Sequence, residues 1–233
     1  MKAFFEELLN RVASQTFLEY IRKKYHYQEE QLTELTRVAE ELLPRIRQGA
    51  HWEHKIFEGE LFGGKSRHNL LIPNTMKDYY GTYSEVLMTL GEGPDLLQEQ
   101  YLSQGLLSEC YMVECLTSEL LMQGYAAYNK YVAANTEFHV ARYHFPGSEK
   151  EFPLNRLPEI LERLNLPVWC NEAFCMIPKK SVAFVAELTQ DESLLCQGIC
   201  VDCKSINCPN RMENSLQLEP TTTRLTAKDA CIL

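Results

Sequence analysis

The sequence predicts an α+β chain with a helical N-terminal region and a cysteine-rich, metal-binding C-terminal segment. Three features carry that expectation. Long stretches repeat apolar residues at the helical period, shorter ones alternate at period two between turn residues, and four cysteines crowd into residues 196–208. With 233 residues, 45% of them hydrophobic, the chain can bury a proper core as one large domain or two small ones.

Taken in order, residues 3 to about 24 place Phe4, Phe5, Leu8, Leu9, Val12, Phe17, Tyr20 and Ile21 at roughly helical spacing, which predicts one helix. A second helix carries Leu32, Leu35, Val38, Ala39, Leu42, Leu43 and Ile46 as one stripe, with Glu and Arg opposite. Between about 50 and 90, IFEGELFGG and NLLIP read as short extended pieces, and Val86 to Leu90 as a buried strand ending at Gly91. The GEGPDLL turn leads into a short helix, and a long helix follows Gly105 to about Ala134. Its apolar face includes Cys110 and Cys115, read as small core residues. Then EFHVARYHF alternates as a strand, FPGSEKEFP is a turn-rich loop and LNRLPEILERL is an amphipathic helix. Val168–Ile177 and Ser181–Leu188 read as two strands joined through Pro178, Lys179 and Lys180. Residues 212–233 have no apolar period and read as a loose tail.

A net charge of -9 argues against nucleic acid or an anionic membrane face as the main partner, because phosphate binding needs a cationic surface. The opening MKAFFEELLNRVASQTFLEY interrupts its apolar residues with polar ones, so no signal-peptide core is expected, and no transmembrane stretch stands out. The expected location is therefore the reducing cytoplasm, where nine cysteines read as metal ligands or core residues rather than disulfides. Cys231 is third from the end, one place off the prenylation motif. His51 and His54 form a His-x-x-His pair with His68 nearby, but a closed metal site needs further ligands and solvated histidines are the simpler reading. No Ser/His/Asp arrangement or phosphate-binding glycine loop supports an independent hydrolase or kinase.

Cys196, Cys200, Cys203 and Cys208 stand at C-x3-C-x2-C-x4-C, enough thiolates to fill a metal's coordination sphere within a short loop. Zinc held tetrahedrally would staple the tail. A [4Fe-4S] cluster is the sharper reading, since compact runs closing on Cys-Pro are common among ferredoxin-like clusters. The first three cysteines also reproduce the spacing of radical S-adenosylmethionine enzymes, but too little chain follows Cys203 to build a barrel behind it.

Over roughly 84 to 211 the chain resembles the reactivation domain of vitamin B12-dependent methionine synthase and its stand-alone bacterial relatives. The likeness rests on VLMTLGEGPD, MVECLTSELL, RYHFPGSEKEFPL and NEAFCMIPKKSVAFVAEL, in that order, and on the closing Cys208-Pro209-Asn210-Arg211. The resemblance implies an antiparallel sheet flanked by helices that binds S-adenosylmethionine, closing over cobalamin held by a corrinoid-binding methyltransferase partner. Such a domain is an accessory to a catalyst rather than a complete one, and the organic cofactors hold the chemistry. It also implies a division into a helical region at 1–83, an activation-like domain at 84–195, a metal segment at 196–211 and a tail at 212–233.

The family's ligand signature is an arginine, three residues, then Gly-Tyr. The arginine pairs the ligand carboxylate and the glycine admits close backbone approach. Carried onto this chain, it implies ligand-binding roles for Arg142, Pro146 and Gly147, with Glu137 as a carboxylate just upstream and Glu172 on the strand before the proline turn. The chain departs from the pattern at three places. Ser148 stands where the tyrosine belongs, Met122 stands where a second carboxylate belongs, and Arg142 is five rather than four residues before the glycine. One extra residue in a strand-like segment points that arginine to the wrong face unless the loop absorbs it. Two functions stay open: an accessory protein that binds S-adenosylmethionine and relays an electron from a donor to cobalamin through an iron–sulfur centre, or a degenerate binding module stapled by zinc, with no such ligand. Cys170 and Cys175 flank Glu172 and are expected on opposite strand faces as small hydrophobes.

Overall fold

A computed structural model describes residues 2–60, 80–148, 150–194 and 196. It is an α+β fold in which helices cover a four-stranded antiparallel sheet.

The single helix expected over 3–24 is two, α1 (Lys2–Arg11) and α2 (Gln15–Lys24). Ser14 causes the break: its backbone is extended and its Oγ accepts the N–H of Phe17 at 3.3 Å, capping the second helix. The next helix, α3 (Leu32–Gly49), buries the predicted Leu35, Val38, Ala39, Leu42 and Ile46. Each of the Leu, Val and Ile side chains so withdrawn from water contributes ~2 kcal/mol before entropy is counted.

Strands β1 (His51–Glu60) and β2 (Tyr80–Thr89) follow as an antiparallel pair. β1 is longer than the extended piece read there, and NLLIP lies outside the described residues. β2 runs across residue 83, so the first part of the chain supplies an edge strand as well as helices. At Gly91 the chain turns with φ +75, and a Cβ there would come 2.6 Å from the main chain of Gly49. Only glycine lets the end of α3 pass so close to the end of β2.

Helices α4 (Gly93–Ser103) and α5 (Leu107–Asn135) match the predicted short and long helices. β3 (His139–His144), α6 (Leu157–Leu164) and β6 (Ser181–Thr189) complete the main layers. Val168–Ile177 is not one strand. It folds into a small hairpin of β4 (Trp169–Cys170) and β5 (Met176–Ile177). Asn171 makes the turn, its Oδ1 accepting the N–H groups of Ala173 and Cys175 at 3.0 Å, a side-chain mimic of a backbone turn.

The sheet order is β1-β2-β6-β3. Alternation divides its residues between two cores. Val86, Met88, Phe184, Ala186 and Leu188 face α1–α5, whereas Tyr83, Leu87, Ala183 and Val185 face α6. α6 packs over β1, β2 and β6.

Candidate functional site

β3 carries the residues that the sequence singles out, and its register decides where they point. Val140 pairs with Leu188 and Arg142 pairs with Glu187, with the register shifting between them. Leu188 and Glu187 lie on opposite faces of β6, so the bulge at Ala141 moves Arg142 to the α6 face while Val140 and Tyr143 stay in the main core. The bulge precedes the arginine, so it sets the face that Arg142 takes and leaves the five-residue spacing from Arg142 to Gly147 unchanged. Tyr143 fixes this arrangement from below: its hydroxyl donates to the Tyr125 carbonyl at 3.1 Å and also contacts Asn129 on α5.

On the α6 face, the row Ala183, Val185, Glu187 runs out from under the helix, and both Arg142 and Glu187 reach solvent. His144 lies one step along β3, almost fully buried, with its Nε2 3.3 Å from Glu187 Oε2. Beyond it the chain turns over Pro146 and Gly147. Gly147 has φ +87, its N–H donates to Phe152 at 2.7 Å, and a Cβ would meet that of Leu154 at 3.2 Å. A side chain there is strained both by conformation and by contact. Ser148 donates its hydroxyl to the Phe145 carbonyl at 2.7 Å, so it closes the turn.

Of the other predicted ligand residues, Glu137 is exposed at the bend entering β3. Glu172 is exposed in the β4–β5 turn and not on a strand, because Asn171 reverses the chain there. Met122 is half-buried against the main core. Cys170 is half-buried against the α6-side core and Cys175 is exposed.

Cys196 is brought to the same strand. Its N–H donates to the Val140 carbonyl at 2.8 Å and its side chain is buried in the main core. Cys200, Cys203 and Cys208 lie outside the described residues, as does the expected tail. Among the described residues no three His, Cys, Asp or Glu side chains gather as metal ligands. His51 is exposed. His54 is packed between Trp52 and Tyr131, with ring centroids 5.4 and 5.3 Å away, and its Nδ1 is 3.3 Å from Ser84 Oγ. Burial pushes the His54 pKa down, against the opposing pull of Glu53.

A buried polar cluster between α2 and α5 escaped the sequence reading. Glu119, only 3% exposed, accepts the hydroxyls of Tyr20 and Tyr25 at 2.9 Å and pairs with Lys24. Its signal was present: Glu119 interrupts the apolar face formed by Met112, Cys115, Leu116 and Leu120. Beside it Cys115 lies 3.5 Å from the Tyr27 hydroxyl, and burial pushes its thiol pKa up, which makes it an inert core thiol.

No family model matches the chain, and no curated protein matches it. Among solved structures, the crystal structure of the MetH reactivation domain bound to AdoHcy is similar, with a TM-score of 0.45 and 14% sequence identity. The match covers 69% of this chain and 67% of that one. Among the described residues, no helix is long and apolar enough to cross a membrane.

Proposed function

We propose that this chain is an accessory protein of cobalamin-dependent methyl transfer, holding S-adenosylmethionine at the end of β3 beside a cobalamin-binding methyltransferase component. The observation that carries the reading is the bulge at Ala141. It puts Arg142 on an open, polar margin of the sheet, followed by the tight Gly147 turn, in the order that the resemblance of RYHFPGSEKEFPL implies.

The donor types suit the ligand. Arg142 would pair the carboxylate of the ligand's amino-acid portion, Glu137 adds negative charge near the strand's start, and the turn at Pro146 and Gly147 keeps side-chain bulk away from the backbone. When bound, S-adenosylmethionine supplies a methyl group and cobalamin accepts it as an electron is delivered; the protein's share is to bind, orient and exclude water.

In the same reading Cys196, Cys200, Cys203 and Cys208 hold an iron–sulfur centre that relays the electron from a separate donor. Cys196 supports this by starting the segment against β3 at Val140, two residues before Arg142 in the strand, with its side chain on the opposite face of the sheet. Calorimetry with S-adenosylmethionine tests the first part, with micromolar affinity expected and lost in Arg142→Ala. Anaerobic reconstitution with iron and sulfide, followed by absorption and titration with cob(II)alamin, tests the second.

A second reading is favoured by Met122 and Ser148. Where the family places a carboxylate and a tyrosine, this chain has a core residue and a turn-closing hydroxyl. A degenerate binding module with zinc in the cysteine segment then follows. Zinc by elemental analysis, no broad visible absorption and no binding even in Met122→Glu would establish that reading over the first.

A further inference from the structure

Glu187 has no part in the ligand signature carried over from the family, yet it is the residue that the sheet sets directly across from Arg142. Cross-strand partners on one face hold their Cβ atoms roughly 5 Å apart. One oxygen of Glu187 is engaged from the inner side by the buried His144 at 3.3 Å, and the side chain is 38% exposed. The carboxylate is thus oriented by a fixed imidazole and still reaches outward. Together Arg142 and Glu187 place a cation and an anion side by side on the α6 face of the sheet, and both side chains reach solvent. An amino-acid zwitterion presents the complementary pair, a carboxylate and an ammonium group on one carbon.

We infer that Glu187 is the second half of a zwitterion clamp, taking the α-ammonium group of the ligand's amino-acid portion while Arg142 takes its carboxylate. This rests on the reading of β3 as the site of a nucleoside carrying an amino acid. It gives the chain a carboxylate of its own in place of the one missing at Met122. His144 acts as a positioning residue for Glu187.

The test compares AdoHcy with 5′-methylthioadenosine, which shares the thioether nucleoside but lacks the amino acid, by calorimetry on the full chain. The expected result is that wild type binds AdoHcy about tenfold or more tighter, the scale of charge-assisted contacts. Glu187→Gln then removes about tenfold from AdoHcy and leaves methylthioadenosine unchanged, and Arg142→Ala does the same. Thermal melts confirm that both variants are folded. If Glu187→Gln binds AdoHcy as wild type does while Arg142→Ala weakens it, the clamp is wrong and the β3 site stands. Equal losses for both probes in Glu187→Gln also overturn the clamp, since they report a distorted site. If wild type binds neither nucleoside, the proposed function falls and the clamp with it.

Discussion

The backbone N–H of Cys196 donates to the carbonyl of Val140 at 2.8 Å, tying the start of the cysteine segment to the strand that carries Arg142. Cys196 is also buried among apolar side chains. Replacing its thiol with a hydroxyl therefore puts a polar group into the core, at a cost of about 1–2 kcal/mol if it finds no partner. Cys196→Ser is expected to unfold at lower urea concentration than wild type and, prepared without oxygen, to carry less iron or zinc by elemental analysis. Wild-type protein with neither metal would remove the metal centre from the account.

Glu119 is expected to be the most sensitive polar position in the helical layer. Glu119→Ala leaves the Lys24 ammonium and the hydroxyls of Tyr20 and Tyr25 without their shared acceptor, and breaking a buried pair in this way costs about 3–5 kcal/mol. Chemical denaturation of the variant measures the loss.

The same cluster sets an alkaline limit. Burial, then Glu119, raises the pKa of Tyr20 and Tyr25 above the ordinary 10.0; for Lys24, burial pulls down but Glu119 more than offsets it, so the net shift is above 10.5. Groups with raised folded pKa values keep their protons in the folded state after the unfolded chain has lost them. Their stabilisation is complete below about pH 10 and is lost as pH rises through the folded values. Melting temperature should therefore fall on going from pH 9 to 11, and less steeply in Tyr25→Phe.

At the acid end His54 works with the opposite sign. Its folded pKa lies below the ordinary 6.5, chiefly through burial, so the unfolded chain binds the extra proton first. Stability should decline as pH falls from about 7 through 6.5 and towards 5. An imidazole resonance titrating below 6.5 would identify the group, and a normal titration for His54 would contradict the assignment.

On the other face of the sheet, Arg163 donates its Nε to Glu85 Oε2 at 2.8 Å and a second N–H to Oε1, a two-point contact that joins α6 to β2. Glu85 is buried while Arg163 is 42% exposed, so solvent screens part of the pairing. Arg163→Met is expected to cost about 1–3 kcal/mol by leaving a buried carboxylate unpaired. Lysine at 163 should recover only part of that, because it lacks the two-point geometry.

Sequence alone determined the helices from α3 onward, the α+β class and the cysteine spacing. The stripe of Leu35, Val38, Leu42 and Ile46 is legible because helical periodicity is a local property of neighbouring residues. The break at Ser14 was missed because a continuous apolar pattern masked a good cap. β1 was poorly legible because an edge strand carrying His51, Glu53, Lys55 and Glu58 has too few apolar residues to alternate clearly. What only the tertiary structure decided was the facing of β3. Pairing with β6 absorbs one residue at Ala141, which turns Arg142 toward Glu187, and no spacing in the sequence reports a register held by a neighbouring strand. Cys196 teaches the same lesson: its spacing was visible in the chain, but its anchorage beside Val140 depends on β6 ending next to β3.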